Sequence, residues 1–338
     1  MGAHGLTLAT LLVCGSLALK PRLRFAGMAA LVAWGIAGFL RLQAPVPRSG
    51  LTAVIAQGNI SEADHRDHGR DPIWANGVFD GYLALTRKGV AEAVRADPAM
   101  RAIVVWPETA SPFALAQDAG ARQAVAEAAG TALMTIAGTE RFESATVAHN
   151  SLVAVAPDGS LAGVYDKAHL VPYGEYFPSY AHFMLGEQGF TPGPGIRTLH
   201  LAGLPAIGPL ICYEVIFPAQ VVDEADRPSL LVNITNDAWF GDSAGPRQHL
   251  AAARLRSVEE GLPMVRAANT GISAVIDPFG RLNARLGLDR RGVLVAPIPG
   301  PLPPTPAGRL GLLAPFILSL LCCGLGFSWR SPDRAAHN

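Results

Sequence analysis

Residues 206–214 read Ala206-Ile207-Gly208-Pro209-Leu210-Ile211-Cys212-Tyr213-Glu214, an apolar run of strand length that ends on a thiol and a carboxylate. The chain has 4 cysteines, and Cys14, Cys322 and Cys323 lie in apolar stretches near its two ends. Cys212 is therefore alone in the middle of the chain, with no second cysteine there for an internal disulfide. It is either a small buried apolar residue or a working thiol. Two further runs end on polar groups: Ile103-Val104-Val105-Trp106-Pro107-Glu108 and Val164-Tyr165-Asp166-Lys167. Rigid strands aim side chains from their ends into a shared cleft, so the trio favours the thiol. The chemistry suits acyl transfer. A thiolate attacks a carbonyl, a carboxylate takes and returns the proton, and an ammonium with backbone donors holds the oxyanion. A neighbouring lysine is also expected to lower the thiol pKa.

Working outward, short runs rich in β-branched residues recur at Leu51–Ala56, Ala102–Trp106, Leu133–Ala137, Leu152–Ala156, Leu230–Ile234, Ile272–Ile276 and Val293–Ile298. Each has strand length and turn residues at its borders. Pro157-Asp158-Gly159 and Asp277-Pro278-Phe279-Gly280 read as hairpin turns. Helical patterns alternate with the strands: Pro72–Ala96, the alanine-rich Ala119–Ala129, and Gln248–Glu260. The last carries Leu250, Leu255 and Val258 on one face, with Arg254, Arg256, Glu259 and Glu260 expected outward. The alternation indicates an α/β sandwich, with no internal repeat and no phosphate-cradling glycine loop.

Half of the residues are hydrophobic and only 16% are charged, too apolar for an ordinary soluble domain. Residues 1–19 and Phe25–Leu40 carry no formal charge, and Leu310–Trp329 is a third such run. Two helices in 1–44 and one in 306–338 are therefore expected to cross a membrane, although Phe25–Leu40 is short for a span. A globular domain of residues 45–305 lies between the proline-rich linkers Pro45-Val46-Pro47 and Pro299–Pro306. Lys20, Arg22 and Arg24 form the first short loop and Arg330 and Arg334 the tail. Positive residues gather on the cytoplasmic side, so a multi-pass protein of a bacterial inner membrane is expected. Its central domain would face the periplasm and its short tail the cytoplasm. No basic stripe interleaved with aromatics is present, which argues against nucleic acid.

Trp106-Pro107-Glu108, Asp166-Lys167 with Gly174-Glu175 downstream, and Ile211-Cys212-Tyr213-Glu214 resemble the Glu–Lys–Cys motifs of the nitrilase (carbon-nitrogen hydrolase) superfamily. Longer stretches resemble its membrane-bound branch, the apolipoprotein N-acyltransferases: Gln57-Gly58-Asn59-Ile60, residues 166–178 from Asp166 to Pro178, Asn233–Gly241 and Arg266–Gly271. The resemblance covers residues 50 to 300 with every motif in family order. It implies a four-layer αββα sandwich flanked by transmembrane helices, and a ping-pong reaction without cofactor or metal. Cys212 would take an acyl chain from a phospholipid, usually phosphatidylethanolamine, as a thioester. It would then pass the chain to the α-amino group of the diacylglyceryl-cysteine that begins an apolipoprotein. By motif position Glu108 is the general base and Lys167 the oxyanion stabiliser, with Glu175, Tyr213 and Glu214 in support and Asn150 near the site. Such a protein is expected to act as a monomer. The branch usually has more membrane helices ahead of this domain than the two read here, so a shortened or partial relative is expected.

Several features have quieter readings. Glu62–Asp71 holds His65 and His68, but no further ligands cluster nearby and a solvated loop is expected. Trp239 either lines an acyl groove or is a buried aromatic beside a strand end. Thr191-Pro192-Gly193-Pro194-Gly195 reads as a loop, and Arg247, Arg254 and Arg256 as a charged helix face. Two other functions stay open: a membrane-anchored amide or nitrile hydrolase with the same triad, and a non-catalytic relative such as the nitrilase-like proteins of plasmid conjugation.

Overall fold

The computed structural model describes residues 2–68, 71–176 and 189–328. It divides into two compact units, one of Val46–Leu302 and one of the two chain ends. Phe177 and Pro178 of the lysine segment, and Trp329, Arg330, Asp333 and Arg334 of the tail, lie outside the described residues.

In the larger unit, eleven strands form two sheets among the described residues. The first holds β1 (Arg48–Gln57), β2 (Ala102–Val105), β3 (Met134–Phe142), β4 (Ala148–Val155) and β5 (Leu161–Asp166), with β11 (Gly292–Pro299) beside β1. The second holds β6 (Ile207–Ile211), β7 (Leu230–Thr235), β8 (Met264–Ala268), β9 (Ser273–Ile276) and β10 (Leu282–Leu286). In each, three parallel strands are followed by two antiparallel ones. The chain thus repeats a topology that its sequence does not repeat. β11 then returns to pair antiparallel with β1.

Three apolar clusters fill the spaces between four layers. Leu51, Ala53, Ile55, Ile103 and Val105 of the first sheet meet Ile207, Ile211, Val232, Ile234 and Val265 of the second. The alternate residues of the first sheet, Val54, Ala56, Val104 and Trp106, face the helices Pro72–Ala96 and Ala119–Ala129. Leu210, Leu231, Met264, Ala274 and Ile276 of the second sheet face the helix Gly245–Glu260 through Leu250 and Ala253. Both faces of each sheet are covered, so the strands read as unbroken apolar runs rather than as alternating ones. The result is the αββα sandwich. Parallel strands put their carboxyl ends on one edge, and the antiparallel pair β4–β5 brings the end of β5 to the same edge.

The polar strand ends therefore share one rim. Gly138 in β3 makes room for the turn after β2: a Cβ there would lie 2.4 Å from the Pro107 carbonyl oxygen and 2.6 Å from Glu108 Cα. Both hairpin turns form where the sequence places them. Gly159 and Gly280 supply φ of 80° and 76°, values that cost glycine little.

The helix Gly245–Glu260 departs from expectation. Arg256, Glu259 and Glu260 are buried rather than outward, while Leu255 and Val258 are half-buried. The buried charges are paired: Arg256 Nε lies 2.7 Å from Glu259 and Glu260 2.8 Å from Arg227. Charge alone signals solvent only when no partner is built in. A second difference is Glu62–His68, which is a short exposed helix rather than a loop; the Ser61 hydroxyl accepts from Asp64 N at 3.0 Å and caps its start.

In the smaller unit, Pro21–Leu42 is the one described helix long and apolar enough to cross a membrane. Its 22 residues span about 33 Å at 1.5 Å per residue, longer than the uncharged core Phe25–Leu40. Arg22 and Arg24, read as loop residues, stand in its first turns. Gly2–Ser16 has 15 residues and Leu313–Ser328 has 16, about 23 Å each.

Two glycine substitutions should act in opposite directions on domain stability, measured by denaturant unfolding. Gly138→Ala must push backbone aside and should lose about 1–3 kcal/mol. Gly77→Ala, in the helix Pro72–Ala96 with open space around its Cβ, should gain about 0.5–1 kcal/mol. A neutral Gly138→Ala would mean that the Glu108 turn does not need this close approach.

Candidate active site

Lys167 follows β5, and its ammonium is 1% exposed between two carboxylates. Nζ donates to Glu108 Oε1 at 3.1 Å and to Glu175 Oε1 at 2.8 Å. Asn150, on β4, donates through Nδ2 to the same two oxygens, each at 2.8 Å. The outer oxygens are held by backbone: Asn236 N donates to Glu108 Oε2 at 2.7 Å and Val171 N to Glu175 Oε2 at 2.8 Å. Both carboxylates are thus fixed in rotamer and direction. Burial pulls the Lys167 pKa down, but the charges of Glu108, Cys212 and Glu175 outweigh it and leave the pKa raised, so the ammonium stays charged. Among the described residues it donates to two acceptors, which leaves one of its three N–H groups for an incoming oxygen.

Cys212 stands at the end of β6 and opens a tight 3-10 turn, Cys212–Ile216. Its φ is 48°, a left-handed value that a non-glycine residue holds only when neighbours enforce it. Glu214 enforces the turn from inside. Its Oε2 accepts from Ile211 N at 2.7 Å, and its Oε1 accepts from Ala168 N at 2.7 Å, Tyr165 Oη at 2.8 Å and His169 N at 3.2 Å. One fully buried carboxylate therefore ties the Cys212 turn of the second sheet to the segment after Lys167 in the first. Burial raises its pKa despite these four donors.

Cys212 is partly exposed and lies within electrostatic reach of both Glu108 and Lys167. Burial of the sulfur pushes its pKa up to about 12; the Glu108 charge adds to this, while Lys167 and a hydrogen bond with Thr235 oppose it. Lys167 lowers the thiol pKa as expected, but burial and the Glu108 charge outweigh it. The resting thiol is neutral, and a neutral thiol can serve as a nucleophile only beside a base. Glu108 is the carboxylate so placed.

The other expected residues divide. Glu175, Asn150 and Glu214 join the cluster. Tyr213 is half-buried and meets Phe217 edge-on at 5.0 Å. Trp239 is not buried: it is 65% exposed on the short turn Asp237–Phe240. The loop at Thr191–Gly195 packs on the site, with Gly193 N donating to the Lys167 carbonyl at 2.8 Å. Of the three arginines read as a helix face, Arg247 and Arg254 are exposed and Arg256 is buried. Sequence reasoning missed the Asn236 amide, Tyr165, and Asp237 with His249 and Arg266. Asn236 and Asp237 lie in the quoted Asn233–Gly241 stretch, while His249 gave no local signal. Among the described residues no group of three or more His, Cys, Asp or Glu side chains could hold a metal ion.

Residues 72–302 match the carbon-nitrogen hydrolase family. The apolipoprotein N-acyltransferase of Bradyrhizobium diazoefficiens is 43% identical over 76% of this chain and 50% of its own length. That of Rhodopseudomonas palustris is 43% identical over 65% and 44%, and that of Brucella melitensis biotype 1 is 35% identical over 90% and 58%. The chain thus spans about half the length of these curated relatives. Its fold is similar to that of a carbon-nitrogen hydrolase from Helicobacter pylori G27, with TM-score 0.51 and 19% identity over 73% of this chain and 88% of that one. It is equally similar to a CN-hydrolase superfamily protein from Xanthomonas campestris, with TM-score 0.52 and 21% identity over 73% and 90%.

The raised thiol pKa has a direct readout. Difference ultraviolet absorbance between the wild type and Cys212→Ser should show no thiolate between about pH 7 and 10, whereas a free cysteine titrates near 8.5. A thiolate signal at about pH 7 would mean that Lys167 dominates burial and that no base is needed.

Proposed function

The chain belongs to the carbon-nitrogen hydrolase family, and on that premise we propose that it N-acylates the N-terminal diacylglyceryl-cysteine of apolipoproteins with a chain taken from a phospholipid, phosphatidylethanolamine being the expected donor. The observation that carries this reading is the apolar surface beside the nucleophile. Ile216 on the Cys212 turn is 38% exposed, and Trp239 and Phe240, just after the Asn236 amide that holds Glu108, are 65% and 44% exposed. Exposed apolar side chains at the mouth of a charged site suit an acyl chain entering from a lipid surface better than a small polar amide. The name carried by the relatives supports the same choice.

In the proposed first half-reaction, Glu108 takes the thiol proton as Cys212 Sγ attacks the ester carbonyl. The free N–H of Lys167 holds the oxyanion. On collapse the C–O bond breaks, the C–S bond remains, and Glu108 returns the proton to the leaving lysophospholipid hydroxyl. In the second half-reaction the acceptor's α-amine attacks the thioester carbonyl and loses its proton to Glu108. The thiol leaves and is reprotonated. Glu175 and Asn150 do no chemistry in this scheme; they hold Lys167 and Glu108 in place.

The charge distribution supports a multi-pass inner-membrane protein, divided as residues 1–44, 45–305 and 306–338; that it works as a monomer is part of the proposal. Lys20, Arg22 and Arg24 would lie on the cytoplasmic side and the catalytic domain in the periplasm.

Membrane-embedded protein given phospholipid without acceptor should accumulate a fatty acyl mass on the Cys212 peptide, absent in Cys212→Ala. Added diacylglyceryl-cysteine peptide should then remove it and gain it at its α-amine. A transferase must shield the thioester from water, so rapid release of free fatty acid without acceptor would overturn the proposal in favour of a hydrolase. Absence of any adduct would favour an inactive relative.

A further inference from the structure

Against the backbone of the nucleophile lies a second polar group that the proposed chemistry does not use. His249 Nε2 is 3.1 Å from the Cys212 carbonyl oxygen, and its Nδ1 is 2.8 Å from Asp237 Oδ1. Asp237 Oδ2 accepts from Arg266 Nη2 at 2.8 Å, and Arg266 donates through Nη1 to Asn233 Oδ1. The Thr235 hydroxyl donates to Asp237 Oδ1 at 3.0 Å. His249, Asp237 and Arg266 are 6%, 1% and 0% exposed. A Cβ at Gly271 would lie 2.2 Å from Asp237 Oδ2, so the site has been cleared to seat this carboxylate.

A buried Arg–Asp–His group costs several kcal/mol of desolvation and could serve the fold alone. Its end point favours a more specific role. The chain of contacts stops on the backbone carbonyl of the one residue whose side chain is the nucleophile, and that residue has φ of 48°. Burial acts to raise the Asp237 pKa, but the Arg266 charge and the His249 hydrogen bond hold it at about 2, so the carboxylate stays ionised. His249 Nε2 faces the Cys212 carbonyl, while Nδ1 lies against both Asp237 Oδ1 and Arg266 Nη2, the latter at 3.3 Å, which fixes the ring in its plane. The same helix grips the far end of the turn, where Arg256 Nη1 donates to the Ile216 carbonyl at 3.2 Å. Residues 249 and 256 are seven apart, two turns along one helix face.

We propose that His249, aimed by Asp237 and Arg266, is a positioning residue that holds the Cys212 carbonyl and so keeps Sγ pointed at Glu108 and Lys167. Fixing that carbonyl fixes the 212–213 peptide plane, and with it the direction of the Cα–Cβ bond. Without the grip, Cys212 relaxes toward ordinary negative φ and the sulfur swings away. Misplacing a reacting atom by about 1 Å costs roughly 100-fold in rate. The inference rests on Cys212 being the nucleophile.

The test uses the full chain in membranes, with iodoacetamide as probe and mass spectrometry of the Cys212 peptide as readout, beside thermal unfolding. His249→Ala should slow Cys212 alkylation by roughly 10- to 100-fold at temperatures where the protein is folded. His249→Gln, whose amide can still donate to the carbonyl, should restore most of the rate. Arg227→Met, which breaks the 2.8 Å pair with buried Glu260 on the same helix, should lower Tm and leave alkylation unchanged. Wild-type alkylation in His249→Ala would overturn the proposal, as would equal slowing in Arg227→Met at matched Tm loss. If wild-type Cys212 reacts no faster than in the Glu108→Gln, Lys167→Met chain, the nucleophile reading falls and the positioning role with it.

Discussion

The Lys167 ammonium, buried between Glu108 and Glu175, is the constraint to which the rest of the domain answers. A charge removed from water is tolerable only when paired, and this one draws its partners from distant parts of the chain. Glu108 follows β2, Asn150 lies on β4, Glu175 follows in the loop beyond Lys167, and the Asn236 amide comes from the second sheet. These groups meet only if both sheets are stacked in the right register. The inner apolar layer of Ile55, Val105, Ile211 and Ile234 supplies that stacking. Packing places the charges, and the charges in turn punish any other packing.

The thiol sits in the field this cluster makes. Its neutrality at rest follows from burial and from the nearby Glu108 carboxylate, the group that takes its proton in the proposed reaction. On that proposed reading, ionisation of the thiol is coupled to its attack. Glu214 and His249 hold the turn from two sides, one through the backbone amides of Ile211, Ala168 and His169, the other through the Cys212 carbonyl. On the proposed reading, the reactive centre is a movable proton inside an immovable frame.

Much of this frame was legible in the sequence, for physical reasons. Sheets covered on both faces give unbroken apolar runs, so β1, β2, β6, β7 and β11 stood out, and glycines at left-handed turns marked both hairpins. β8 did not stand out because Arg266, fully buried and paired with Asp237, interrupts its apolar run. β10 was missed because an edge strand carries Asn283 and Arg285 on an exposed face. Arg256, Glu259 and Glu260 were placed outward because sequence shows a charge but not its partner. Glu108, Lys167 and Cys212 could be found because each ends an apolar run. His249 could not, since a lone histidine on a helix announces nothing until the fold sets a carbonyl and a carboxylate at its two nitrogens. Trp239 was read either as lining a groove or as a buried aromatic, and its exposure removes the second reading.

The central claim is that Glu108 and Lys167 act on one thiol as a unit. A double-mutant cycle with Glu108→Gln and Lys167→Met, read as the rate of acyl-enzyme formation at Cys212, tests it most directly. Coupled groups should be strongly non-additive, with the double mutant losing little more than the worse single mutant. Losses that multiply would show two independent contributions and contradict the account.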